Sequence, residues 1–144
     1  MKPQLIVIRG NANTGKSSVA VCVYNQLIDL YKLDNSQAPL GKDVESNLLI
    51  GNKQVAFISE GDIASILREK LQKVKALDPD IIVMCLRSMD CEGSSLRMMI
   101  EEEPELYQTH IEAWTSYSNI EDMRIPLDHA VAKVIVRKIV ELLK

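Results

Sequence analysis

The sequence predicts an α/β fold: a mostly parallel five-stranded sheet with an antiparallel edge strand and helices on both faces. Short apolar runs without polar alternation, Gln4 to Ile8 (QLIVI) and Ile81 to Leu86 (IIVMCL), read as strands buried on both faces. Other stretches repeat their apolar positions at three and four, the period of a helix. The two kinds alternate along 144 residues, the length of one domain spanning 1–144.

The elements follow in order. The strand from Gln4 to Ile8 ends near Gly10, and Val19, Ala20, Val23, Leu27 and Leu30 then mark a helix from Lys16 to about Leu33. Asp34 to Ser46 is polar, contains Pro39 and Gly41, and reads as a loop. Gly51-Asn52 between two apolar runs predicts a hairpin within Asn47 to Ser59. Ile63, Ile66, Leu67, Leu71 and Val74 mark a second helix, closed off by Pro79. After the strand Ile81 to Leu86, Gly93 to Glu103 reads as a helix stopped by Pro104. His110 to Trp114 reads as a short strand, and a last helix begins near Asp128 as its N-cap. The expected order places the hairpin's second strand beside the chain's first strand, with the remaining two strands on the other side.

Composition narrows the function classes. Seventeen basic against twenty acidic side chains give a net charge of −3, so there is no general pull on nucleic acid or an anionic membrane. One Trp, one Phe and four Tyr make a stacking platform for single-stranded nucleic acid an unfavoured reading. An odd set of cysteines, Cys22, Cys85 and Cys91, with no signal-peptide pattern, predicts a reducing, cytoplasmic setting. The apolar stretch Ala130 to Leu143 is interrupted by Lys133, Arg137, Lys138 and Glu141 and falls short of a membrane span. Any anion site must therefore be local.

Gly10 to Ser17 (GNANTGKS) supplies one: a Gly, four residues, then Gly-Lys-Ser, set between a buried strand and the start of an amphipathic helix. A chance match in a chain this long is on the order of one in a few hundred. Small residues let successive backbone N–H groups point inward as an anion nest, and the helix N-terminus adds its positive dipole end. Gly10, Asn11, Ala12, Asn13, Thr14, Gly15, Lys16, Ser17 and Ser18 are thus the candidate phosphate cradle. Lys16 would reach the terminal phosphates, and Ser17 would complete a Mg²⁺ shell.

Through this motif the chain resembles the P-loop NTPase superfamily, and its size and expected strand order look most like the small nucleotide- and small-molecule-kinase group. The resemblance implies a three-layer, Rossmann-like P-loop fold and a site for Mg²⁺ with ATP or another nucleoside triphosphate. Such proteins carry an acid at the end of a strand near the loop. Here Glu60 and Asp62, after VAFIS, are the candidates for orienting Mg²⁺ or the nucleophile, with Asp62 a metal candidate beside Ser17. A cap for the following helix is the competing role of Asp62.

Arg87 follows the strand Ile81 to Leu86 and is the candidate for stabilising the transferred phosphoryl group. Arg97 reads mainly as a helix-surface residue. Cys91 to Arg97 has the Cys, five residues, Arg spacing of cysteine phosphatases, but Asp90 precedes the thiol and Gly93 is one place early. His110 and His129 stand apart and suggest no metal, and Trp114 is expected in the core.

The sequence reading is a Mg²⁺-dependent nucleoside triphosphate-binding protein that transfers or hydrolyses the terminal phosphoryl group, with Lys16, Glu60, Asp62 and Arg87 as its catalytic set. Its alternative is a regulatory module or slow NTPase that acts on a protein partner and needs no small-molecule acceptor. The last helix, apolar on two sides, fits such a partner, a second copy of the chain, or burial in the sheet layer.

Overall fold

The structure is a computed structural model that describes residues 3–10, 16–33, 45–59, 63–87, 93–115 and 121–144. In chain order the elements are β1 (Gln4–Gly10), α1 (Lys16–Tyr31), β2 (Glu45–Ile50), β3 (Lys53–Ile58), α2 (Ala64–Ala76), β4 (Ile81–Arg87), α3 (Ser95–Glu102), α4 (Pro104–Tyr107), β5 (Ile111–Trp114) and α5 (Glu121–Leu142). They form an α/β fold around one five-stranded mixed sheet in the order β2-β3-β4-β1-β5. Only the β2–β3 pair is antiparallel.

Alternation along the strands divides the interior into two cores. Ile6 and Ile8 of β1 and Ile81, Val83 and Cys85 of β4 pack beneath α1 and α5, where they meet Val19, Val23, Leu27, Ala132, Ile135 and Ile139. Leu5, Val7, Ile82, Met84 and Leu86 point the opposite way, onto Leu67 and Leu71 of α2, Leu96 and Met99 of α3 and Leu106 of α4. Each such Leu or Ile contributes about 1.5–3 kcal/mol by leaving water. On the α1 side, Tyr24 meets Phe57 edge to face, with ring centroids 5.5 Å apart.

The order differs from expectation in one respect. β3 lies beside β4, and it is β4 that lies between β3 and β1. The α2 crossover thus carries the chain one slot over, which is the usual step for consecutive strands. β4 is also buried from Ile81 to Leu86, as a position between two neighbouring strands requires.

Local chemistry explains the ends of the elements. Gly51 takes a φ of 64°, which the first central position of a tight hairpin turn demands, and Ile50 and Lys53 pair directly across it. The chain leaves α1 through Lys32 at φ 54°, and the Leu33 N–H donates to the Ile28 carbonyl at 2.9 Å. This is a Schellman closure with lysine where glycine is usual. α5 begins at Glu121 and not near Asp128, because the helix continues through Pro126, where propensity places a break.

Lys32→Gly removes the Cβ penalty of the left-handed backbone. The denaturation free energy should rise by about 0.5–1 kcal/mol, read as a higher denaturant midpoint at unchanged slope.

Candidate functional site

In an open α/β sheet, ligands bind beyond the carboxyl ends of the strands, where neighbouring strands send their connections to opposite faces. Here those neighbours are β1 and β4. β1 leads to α1 on one face, and β4 leads to α3 on the other. β3 and β4 both lead to helices of the α2–α3 face, and β1 and β5 both lead to helices of the α1–α5 face, so neither pair opens a crevice. The register places Gly10 directly opposite Arg87 at the mouth of this crevice.

Gly10 ends β1, and Lys16 is the first residue of α1. Lys16 is only 6% exposed, and its Nζ donates to the Gly10 carbonyl at 2.9 Å. A lysine is rarely buried to this degree without a partner, so the side chain folds back across the two ends of the motif and holds them together. Behind it, the Cys85 thiol of β4 donates to the Lys16 carbonyl at 3.6 Å and seats the start of α1 on the sheet. The first turn of α1 has no acidic residue to offset the positive end of the helix dipole. Ser17 is the second helical residue, and Ser18 is exposed. Asn11, Ala12, Asn13, Thr14 and Gly15 lie outside the described residues.

Glu60 and Asp62 also lie outside them, but the strand order changes their setting. β3, which precedes them, is two strands from β1, roughly 9–10 Å rather than one spacing of about 4.8 Å. The N-cap position of α2 is Ile63, in extended conformation, not Asp62. Ile63 pairs with Ser94 as an isolated antiparallel bridge. Ser94 caps α3 by accepting the Arg97 N–H at 3.1 Å. Arg97 itself lies 3.7 Å from Glu101, one turn along α3. Cys91 lies outside the described residues.

Among the described residues, the buried polar or charged ones, Lys16, Ser59, Ser94 and Ser95, follow the carboxyl ends of β1, β3 and β4. Sequence reasoning did not single out the serines as site residues, since a Ser at a strand end or helix start reads as a turn or cap residue.

A second polar cluster lies beside this one, on the α2–α3 face of β1 and β5. The Glu112 carboxylate accepts from Arg9 Nη1 at 2.9 Å and faces His110 Nε2 at 2.7 Å. His110 Nδ1 is 2.6 Å from the Tyr107 carbonyl, and its ring stacks on Tyr107. Both partners are acceptors, so the imidazole satisfies both only when both nitrogens carry protons. Burial alone would raise the Glu112 pKa, but the hydrogen bonds from His110 and Arg9 outweigh it and hold the carboxyl below its ordinary range. Trp114, expected in the core, is 51% exposed and lies against the Arg9 guanidinium.

Among the described residues no three His, Cys, Asp or Glu side chains group as metal ligands, and no helix is long and apolar enough to cross a membrane. Burial, and next the Asp128 carboxylate, push the Cys22 thiol up and disfavour its thiolate. Comparison with protein-family models, curated proteins and solved structures finds no match.

Because Glu112 titrates below its unfolded value, its network stabilises the fold fully above about pH 4.3 and fades as pH falls through the folded pKa. Stability should therefore fall more steeply between about pH 5 and 3 in the native protein than in Glu112→Gln. Parallel denaturation profiles across that range would remove Glu112 from this role.

Proposed function

We propose that the chain binds a Mg²⁺–nucleoside triphosphate, ATP first among them, and transfers or hydrolyses the terminal phosphoryl group in the manner of P-loop kinases. One observation carries the reading: Gly10 and Lys16, near the two ends of GNANTGKS, are joined by the Lys16 Nζ–Gly10 carbonyl bond at the carboxyl end of β1, beside β4, where α1 begins with no acidic residue in its first turn. A three-layer P-loop fold agrees with the parallel strands, the helices on both faces and a helix opening directly on the motif.

In this reading the Lys16 ammonium leaves the Gly10 carbonyl for the β- and γ-phosphate oxygens, and the backbone N–H groups of residues 11–17 take the remaining charge. Ser17 would hold Mg²⁺, with Asp62 the candidate second acid of the sequence reading; the ion would supply neutralising charge to the phosphates when bound. Arg87, opposite Gly10 in register, meets charge building on the transferred group. Glu60 or Asp62 orients the attacking hydroxyl or water.

Calorimetry with ATP or GTP at millimolar Mg²⁺ tests the central claim, and no heat of binding with either would overturn it. Lys16→Met should weaken binding by about 10- to 100-fold at a melting temperature close to native. Arg87→Ala should lower turnover by about 10²- to 10³-fold while the dissociation constant changes little. Binding without turnover, alone and with candidate small acceptors, would instead favour a regulatory module.

A further inference from the structure

We infer that the open edge of β2, with the groove beside it, is a docking site for an extended acidic peptide segment that joins the five-stranded sheet as an added strand. Among the described residues, β2 ends the sheet and pairs with β3 alone. Edge strands are usually blunted by proline, lysine or a bulge. Asn47 to Ile50 (NLLI) has neither residue, and the register with β3 runs from Glu45 to Ile50 without a break.

The direction of the backbone groups follows from β3. The Gln54 N–H donates to Asp80 Oδ2 at 2.8 Å, and the Gln54 carbonyl accepts from the Asp80 N–H at 2.9 Å, so both groups point toward β4. Leu49 is the register partner of Gln54, which makes theirs a non-hydrogen-bonded pair. The N–H and C=O of Leu49, and by alternation those of Asn47, therefore face the open edge at the spacing an added strand requires. Leu48 and Ile50 turn theirs to β3, and their side chains lie in the core beneath α1.

Side chains beside the edge supply the specificity. On the α2 side, Asn47 shares a groove with Lys70, Lys73 and Val74 of α2 and with Leu77 just after it. Leu49, on the same face of β2 as Asn47, is 60% exposed and Leu77 is 52% exposed, so an added strand gains by covering them. Glu69 completes the rim and lies 3.6 Å from Lys73, so the rim carries two ammonium groups and one carboxylate. On a chain of net charge −3 this is a locally positive edge.

Charge also decides the occupant. A second copy paired antiparallel across β2 would bring its own lysine-bearing groove to the same side of the sheet, and like rims would meet. A strand with a carboxylate next to an apolar side chain on the groove side meets Lys70 and Lys73 with opposite charge and covers Leu49 and Leu77.

The probe is the peptide Ac-Thr-Glu-Thr-Leu-Thr-Glu-Thr-amide, whose acids and leucine share one face of a strand, set against the same peptide with lysine for glutamate. Binding to the full chain is followed by calorimetry and by amide hydrogen exchange. The acidic peptide should bind saturably and slow exchange at the Asn47 and Leu49 amides, which in the free protein exchange faster than those of Leu48 and Ile50. Leu49→Pro removes an outward N–H without breaking a bond to β3, and should abolish this binding at a melting temperature close to native. Lys70→Glu/Lys73→Glu should weaken the acidic peptide by about 3- to 30-fold and tighten the lysine peptide, a test that stands even where the proline variant fails to fold. No binding of the acidic peptide at millimolar concentration, or equal binding of both peptides, overturns the site. Protection of Asn47 and Leu49 that grows with protein concentration in the absence of peptide overturns it too, since a second copy would then hold the edge.

Discussion

The burial of β1 and β4 on both faces is the constraint from which the rest follows. Leu5 to Ile8 and Ile81 to Leu86 offer no polar side to water, so helices must cover the sheet above and below. A chain that covers both faces must send the helices of some neighbouring strands in opposite directions. In this protein those strands are β1 and β4, and their carboxyl ends, Gly10 and Arg87, mark the point where the connections part to opposite faces. The site is a consequence of how the core is closed.

Electrostatics is arranged on the same plan. The chain is acidic overall, at −3, yet the buried Lys16 and the acid-free first turn of α1 share the carboxyl end of β1. Local positive potential at a helix N-terminus does not require a positive surface. Next to it, Glu112 gathers Arg9 and His110 into a neutralising cluster on the edge strand β5, which is only four residues long. So short a strand pairs with β1 through few backbone bonds, and the side-chain cluster adds to its attachment.

Much of the fold was legible because it rests on periodicity. The apolar runs of β1 and β4, the three-and-four spacing of α1 and α2, and Gly51-Asn52 in the hairpin each announce themselves within a few residues. What failed depends on distance through space. Nothing local in VAFIS or IIVMCL says which of the two lies beside β1, since both are apolar throughout and order is a property of the assembled sheet. Pro126 concealed the first turns of α5 because its helix-breaking propensity is overridden there. Trp114 looked like core because its hydrophobicity is visible in the sequence, while the partners that hold it at the surface, Arg9 and Glu112, come from two different strands. At the candidate site the motif gave Gly10 and Lys16, but the burial of Ser59, Ser94 and Ser95 after the carboxyl ends of β3 and β4 needed the topology.

The bond from Lys16 to the Gly10 carbonyl has a bearing on selectivity. An anion arriving at α1 competes with a contact already made inside the protein, so it gains only the difference between the two. A weakly charged visitor such as a carboxylate or halide offers the ammonium little more than the carbonyl does. A polyphosphate offers several charged oxygens at once, and its advantage grows with each. In the function proposed above, the folded-back lysine would act as a threshold, one that discriminates by charge density before any recognition of the ligand's shape begins.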